Sequence, residues 1–225
     1  MPELTEIFKG VYLIQEDGDR RLATRNAYTG FQLTGEKVVK VGGEQFRLWS
    51  PYRSKLAAAI LKGMSEFPLR PGDRVLYLGA ASGTTASYIS DIVGPDGVVF
   101  CIEFAPRPLK ELLRVSQVRT NMVPILGDAR HPSEYSHLVT EVNMVYQDVA
   151  QPNQAEIFCS NASSYLAEGG WGLLMVKSRS VDVSKPPEVV YERERKLLTE
   201  RGLTVVETLD LEPYDRDHTA MRIAT

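Results

Sequence analysis

The residues that could do chemistry begin with a turn of small residues. Gly79-Ala80-Ala81-Ser82-Gly83 joins the apolar run Arg74-Val-Leu-Tyr-Leu78 to a helical stretch. Small residues there let the backbone pass close to a ligand, and the helix start presents free amides. A tight strand-to-helix turn with no ligand would use the same residues, so the turn alone decides nothing. Glu103 closes the next strand-like run, 20 residues beyond Gly83, where a carboxylate can accept both hydroxyls of a ribose. Asp128, in Gly127-Asp-Ala129, follows the third run and suits an adenine amino group. Asp148-Val-Ala-Gln151 follows the fourth. Any one of these reads equally well as an exposed strand-end carboxylate. Together they sit at strand carboxyl ends on one rim of one sheet, where open α/β sheets bind ligands, and they point to an adenosine cofactor. The turn lacks the middle glycine that lets a dinucleotide pyrophosphate approach, so a phosphate-free donor, S-adenosyl-L-methionine, is the better fit.

Two lysines and a histidine could act beside that donor. Lys177 ends the fifth run, in Met175-Val-Lys-Ser-Arg179, where a charge either snorkels to the rim or works there. Lys55 begins a helical stretch, a place where most lysines are simply solvated. Asp148 falls on the same rim as Lys177, and His218 opens the last strand-like run. A ribose 2′-hydroxyl must lose its proton as it attacks a sulfonium methyl in line. Nearby ammonium groups stabilise the developing alkoxide, and an aspartate can fix their orientation. A lysine crowded by other cations can instead accept the proton, and the sequence leaves open whether either lysine does so.

The elements that must position these groups fall into two parts. Residues 1–52 carry short β-favouring segments (10–14, 21–24, 37–41 and 45–49) separated by turns at Asp17-Gly18-Asp19 and Gly42-Gly43. They are expected to form a small antiparallel β subdomain. Residues 53–225 alternate strand and helix: strands at 74–78, 97–102, 122–126, 142–146 and 171–176, helices near 53–61, 83–93, 106–119, 152–167 and 187–201. Such alternation predicts βαβ units and a mostly parallel sheet. Segments 203–209 and 219–224 predict a closing antiparallel pair. The expected fold is α/β: a Rossmann-like, seven-stranded class I methyltransferase sheet with an antiparallel last strand, preceded by the β subdomain.

A net charge of −3 argues against a chain that grips nucleic acid by its own electrostatics, which needs clustered Lys and Arg. No apolar run reaches membrane-spanning length and the first residues lack a signal-peptide pattern. Cys101 and Cys159 lie in apolar contexts and read as inert core thiols, not metal ligands. These features fit a reducing cytoplasm.

At the residues just described the chain closely resembles fibrillarin, specifically the archaeal fibrillarin-like rRNA/tRNA 2′-O-methyltransferases. The resemblance covers nearly the whole chain. It is carried by Trp49-Ser-Pro-Tyr-Arg-Ser-Lys-Leu-Ala-Ala-Ala-Ile60, Val75-Leu-Tyr-Leu-Gly-Ala-Ala-Ser-Gly-Thr-Thr85 and Val145-Tyr-Gln-Asp-Val-Ala-Gln-Pro-Asn-Gln154, with Met175-Val-Lys-Ser-Arg-Ser-Val-Asp182 and Glu212-Pro-Tyr-Asp-Arg-Asp-His218. It implies a catalytic Lys-Asp-Lys-His set at Lys55, Asp148, Lys177 and His218. It also implies cofactor contacts at Thr84, Thr85, Glu103, Phe104, Asp128, Ala129, Asp148, Val149, Ala150 and Gln151, beside the turn residues Gly79, Ala81 and Gly83. Eukaryotic fibrillarins carry a Gly/Arg-rich tail that this sequence does not show, which points to the archaeal form and gives no ground for a nucleolar assignment.

The resemblance further implies work inside a box C/D guide ribonucleoprotein. A Nop-domain scaffold protein and a kink-turn-binding protein would hold the guide RNA, and base pairing would select the target rRNA or tRNA nucleotide. Weak RNA binding by the chain alone is then expected, and the acidic charge ceases to be a difficulty. Two rivals are a methyltransferase acting on a base or protein and a non-catalytic subunit. The first would favour an Asn/Asp-Pro-Pro-aromatic motif where Asp148-Val-Ala-Gln151 stands; the second is opposed by the intact Lys/Asp/Lys/His set. Arg107, Lys110, Arg114 and Arg119 read either as a solvated helix face or as an RNA-backbone contact. Phe8, Tyr12, Phe31, Phe46 and Trp49 read as β-face packing or, where exposed, as a scaffold-protein interface.

Overall fold

Alternation of apolar and polar residues in the first 48 positions builds five antiparallel strands in the computed structural model, which describes residues 2–16, 18–29 and 35–225. They are β1 (Glu3–Phe8), β2 (Val11–Glu16), β3 (Asp19–Arg25), β4 (Val38–Val41) and β5 (Glu44–Leu48), in the sheet order β1-β2-β3-β5-β4. The sequence reading missed β1. Glu3-Leu-Thr-Glu-Ile-Phe8 is a largely exposed edge strand, and its polar residues hide the pattern until it pairs with β2. Phe31 and Asp17 lie outside the described residues. Phe46 is fully buried, Tyr12 meets it edge-on with ring centroids 5.1 Å apart, and Trp49 stacks on Tyr88 at 4.8 Å, so these three pack rather than project.

Next come α1 (Lys55–Leu61), β6 (Arg74–Leu78), α2 (Thr84–Val93), β7 (Val98–Glu103), α3 (Pro106–Ser116), β8 (Met122–Leu126) and β9 (Val142–Gln147). They are followed by α4 (Gln154–Tyr165), β10 (Leu166–Lys177), α5 (Ser178–Val181), α6 (Pro187–Glu200), β11 (Thr204–Asp210) and β12 (His218–Ala224). The large sheet has the order β11-β12-β10-β9-β6-β7-β8. Strands β10, β9, β6, β7 and β8 run parallel, and β12 is antiparallel to both β10 and β11. Strand order therefore reverses between β6 and β9, the point at which such sheets bind ligands.

Alternate residues of β6 feed opposite faces of this sheet. Val75 and Tyr77 join α1 and α2 in one core, while Leu76 and Leu78 join α4 and α6 in the other. In α1, Ala57, Ala58 and Ala59 are fully buried, which lets the helix backbone sit close to the sheet. Ser54 caps α1, its side-chain oxygen accepting from the Ala57 amide. The helix expected over 106–119 ends at Ser116, and Arg119 turns inward to 2% exposure. That removes Arg119 from the supposed basic stripe, and Arg114 pairs with Glu111 on its own helix. Cys101 and Cys159 are buried and unpaired, and burial pushes both thiols up.

Candidate active site

The carboxyl ends of β6, β7, β8 and β9 open into a cleft of about 260 Å³. It is lined by the turn residues Gly79 and Ala81, by Glu103 and Phe104 at the end of β7, by Asp128 and Ala129 after β8, and by Asp148, Val149, Ala150 and Gln151 after β9. Ten of the residues expected at a cofactor thus share one cavity. Gly83, Thr84 and Thr85 do not line it. Gly83 precedes α2 at φ +87, and a Cβ there would press on Leu112 of α3 at 2.7 Å, so its smallness serves helix packing. Thr85 is buried with its hydroxyl donating to Ser54 Oγ at 3.0 Å, and Thr84 faces a larger cavity beside Ser54.

The chemistry of the cleft can be tested against the expected donor. A Cβ on Gly79 would collide with the Asp148 carbonyl, so this backbone passes where no other side chain fits. Glu103 is only 6% exposed, and its carboxylate accepts from the Ala81 amide at 2.9 Å and the Ala105 amide at 2.8 Å. Those bonds aim the carboxylate and leave lone pairs for hydroxyl donors. Phe104 is 63% exposed, an apolar ring at the cleft edge suited to a flat heterocycle. Carboxylates line the cleft and no Lys or Arg does so among the described residues, which disfavours a phosphate and suits a ribose and a cationic centre. Asp128 holds its charge below the usual carboxylate range because Arg130 bonds to it, with Nε at 2.9 Å. S-adenosyl-L-methionine fits this donor set. Among the described residues no cluster of three or more His, Cys, Asp and Glu could hold a metal ion.

Beside the cleft the four reaction-site candidates converge. Lys55 Nζ donates to Asp148 Oδ2 at 2.9 Å. Lys177 and His218 are direct partners in the β10–β12 ladder. The end of β10 is fixed by Gln154, whose Oε1 accepts from the Lys177 amide at 3.0 Å while its Nε2 donates to the Lys177 carbonyl at 3.4 Å. Lys177 makes no salt bridge among the described residues, whereas Lys55 has a second carboxylate, Asp215, at 3.7 Å. His218 Nδ1 lies 2.9 Å from Asp215 Oδ1 and 2.7 Å from the Arg216 carbonyl. Both neighbours only accept, so Nδ1 carries the proton and, in the neutral ring, Nε2 presents a lone pair. Burial pushes the ring below the ordinary histidine value and the Lys55 charge adds to this, against the Arg216 carbonyl and the Asp215 and Asp148 carboxylates. Sequence reasoning passed over Gln154 and Asp215. Asp215 had a signal, standing three residues before His218 in a polar loop, but nothing in the sequence brings it to Lys55.

A seven-stranded sheet with its last strand inserted antiparallel, and an acidic cleft at the reversal of strand order, define a class I methyltransferase fold. The profile of the Fibrillarin family matches residues 3–225, and the chain belongs to that family. It is 53% identical to the fibrillarin-like rRNA/tRNA 2′-O-methyltransferase of Thermococcus sibiricus, over 94% of this chain and 93% of that one. The crystal structure of Aeropyrum pernix fibrillarin with natively bound S-adenosyl-L-methionine superposes with a TM-score of 0.90, at 48% identity over 100% of both chains. A fibrillarin in complex with Nop5p gives 0.86 at 41% identity, over 97% of this chain and 99% of that one.

Proposed function

We propose that this protein transfers a methyl group from S-adenosyl-L-methionine to the ribose 2′-hydroxyl of target nucleotides in rRNA and tRNA. The observation that carries the reading is the Lys55–Asp148 ion pair at 2.9 Å, set where the cofactor cleft meets the Lys177–His218 strand pair. Family membership supplies the acceptor, because relatives about half identical over nearly the full chain bear that activity in their names.

Each residue then has a task. Glu103 would take the ribose hydroxyls of the donor, Phe104 and Ala129 would flank its base, and Asp128 would accept from the adenine amino group. Gly79, Ala81 and the segment Asp148–Gln151 close around the rest, with Gly83, Thr84 and Thr85 shaping the turn from behind. The bound cofactor supplies an electrophilic sulfonium methyl. Asp148 holds the Lys55 ammonium in place, and Lys55 and Lys177 stabilise the negative charge that develops on the attacking oxygen. His218 Nε2, the free lone pair at the same edge, accepts the proton that the 2′-hydroxyl loses as the methyl leaves the sulfonium for oxygen. Residues 1–52 form an accessory β unit and 53–225 the catalytic unit.

The same reading makes the chain the catalytic subunit of a box C/D guide ribonucleoprotein of archaeal type, working in the cytoplasm. A Nop-domain scaffold is supported by the fibrillarin–Nop5p relative. A kink-turn-binding protein and the guide RNA complete the assembly, and the net charge of −3 fits a subunit that leaves RNA selection to its partners. Among the described residues no helix is long and apolar enough to cross a membrane. The decisive test is transfer of labelled methyl groups by the assembled complex to a guided target, with the target nucleotide supplied as ribo or 2′-deoxy. Label should appear only in the ribo target; undiminished transfer to the 2′-deoxy target would overturn the reading.

A further inference from the structure

We infer that Asp215 is a positioning residue for the methyl transfer, tying Lys55 and His218 into one rigid unit with Asp148. The inference rests on the ribose-methylation reading above and adds a residue to that site.

The Asp215 carboxylate splits its oxygens: Oδ1 lies 2.9 Å from His218 Nδ1, and Oδ2 lies 3.7 Å from Lys55 Nζ. With Lys55 on Asp148 at 2.9 Å, an unbroken line runs Asp148–Lys55–Asp215–His218 from the end of β9 to the start of β12. The loop carrying Asp215 is tied to the residues flanking α1 at two further points. Lys62 Nζ donates to the Glu212 carbonyl at 2.7 Å, and Tyr214 meets Tyr52 edge-on at 5.3 Å between ring centroids. Its own turn is closed by the Tyr214 and Asp215 amides donating to the Leu211 carbonyl. At the far end, the Asp217 carbonyl accepts from the Ser178 amide just beyond Lys177. The loop thus touches the neighbourhoods of both lysines, and Asp215 is its contact with the reactive groups.

The division of labour follows from the acceptors. The Arg216 carbonyl suffices to keep the proton on Nδ1, so tautomer choice does not depend on Asp215. What only Asp215 adds is a negative charge shared by an imidazole and an ammonium. That charge offsets part of the repulsion that Lys55 exerts on a protonated His218, alongside Asp148. It also gives the Lys55 ammonium a second anchor, restricting its arc to the side facing the attacking oxygen. Lys177 stands across the ladder from His218, and the Tyr146 hydroxyl, close enough to Asp148 and Asp215 to feel their charge, is kept neutral by burial.

The test uses the assembled guide complex with Asp215→Asn, Asp215→Ala and Asp215→Glu. The Asn variant should lower the single-turnover methylation rate about tenfold or more, with the KM for donor changed less than about twofold. The Glu variant should recover most of the rate. Nitrogen-15 NMR of the His218 ring in the free chain should show the Asn variant titrating at lower pH than wild type, with Nδ1 still protonated in the neutral form. An unchanged rate in the Asn and Ala variants, or a His218 titration that does not move, would overturn the inference. A merely structural role would lower stability and donor affinity together and leave the ring titration in place, which also counts against it. Failure of the underlying reading looks different: the wild-type complex would methylate the 2′-deoxy target.

Discussion

Lys177 and His218 form a registered pair across the antiparallel β10–β12 ladder, the last residue of β10 opposite the first residue of β12. Partners of this kind project from the same face of a sheet with Cβ atoms about 5 Å apart. The ladder therefore delivers an ammonium and an imidazole to one point with little freedom in either backbone. Lys177→Ala should lower the methylation rate by about a hundredfold or more while leaving donor affinity within a few-fold of wild type. Single-turnover transfer and calorimetric donor binding separate the two effects, and normal transfer by this variant would remove Lys177 from the mechanism.

The cofactor turn makes opposite demands on two neighbouring residues. Gly79 holds φ +80 and has the Asp148 carbonyl where a Cβ would go, so Gly79→Ala should abolish donor binding and lower the melting temperature. Ala81 sits at φ +48 without a glycine's freedom, a conformation costing an alanine about 1 kcal/mol. Ala81→Gly should accordingly be neutral or slightly stabilising and keep its amide on Glu103. Melting curves and donor titrations on both variants check the contrast.

Residues whose role depends on the local pattern were readable in the sequence. The run Arg74–Leu78 was bounded correctly because both its faces are buried and a glycine ends it. Glu103, Asp128 and Asp148 could be placed on one rim because strand-end position follows from alternation alone. Roles set by long-range pairing were not readable. Arg119 sits in a polar stretch and looks solvated, yet it folds back onto an aspartate 28 positions away. Asp215 reaches Lys55 only because the antiparallel return of β12 brings its loop over α1. Gly83 is expected at the cofactor from its place in the turn; that the same position also packs against Leu112 of α3 is a long-range contact no local pattern shows.

The Glu103 carboxylate gives a graded prediction for the cofactor. Glu103→Gln keeps the volume but replaces one acceptor by an amino group, which must face either the Ala81 or the Ala105 amide. Charge-assisted bonds to the donor ribose would be lost as well, worth about 1.5–3 kcal/mol. Donor affinity should fall roughly 10- to 100-fold, with the methylation rate at saturating donor much less affected. Calorimetry against rate at high donor distinguishes this from a general loss of activity.

His218 sets a direction for the pH dependence of stability. Its folded-state value lies below that of the unfolded chain, because burial and Lys55 disfavour the charged ring. Between the two values the unfolded chain binds more protons, so stability contributed by the neutral ring is present above about pH 6.5 and is lost as pH falls towards the folded value. His218→Asn should flatten the decline as pH falls below about 6.5 relative to wild type. Denaturant midpoints across a pH series on the acid side provide the measurement; parallel declines in both proteins would refute the assignment.

Buried charge holds the join between the two sheets. Asp91 of α2 is 0% exposed at its side chain and accepts from Arg47 Nη1 at 2.6 Å, Arg119 Nη1 at 2.7 Å, Thr24 Oγ1 at 2.9 Å and the Ala27 amide at 3.1 Å. Glu36 completes the charge balance with Arg47 at 3.0 Å, so two guanidiniums face two carboxylates out of water. Removing one carboxylate leaves buried cations in excess, a loss of about 3–5 kcal/mol in comparable pairs. Asp91→Ala should therefore lower stability by at least about 3 kcal/mol in urea titrations at neutral pH. The loss should be larger than for Arg119→Met, which keeps much of the side-chain volume and leaves Asp91 its bond to Arg47. Because α2 begins at the cofactor turn, the Asp91 variant should also weaken donor binding, and equal stability of the two variants would show that charge balance is not what holds the sheets together.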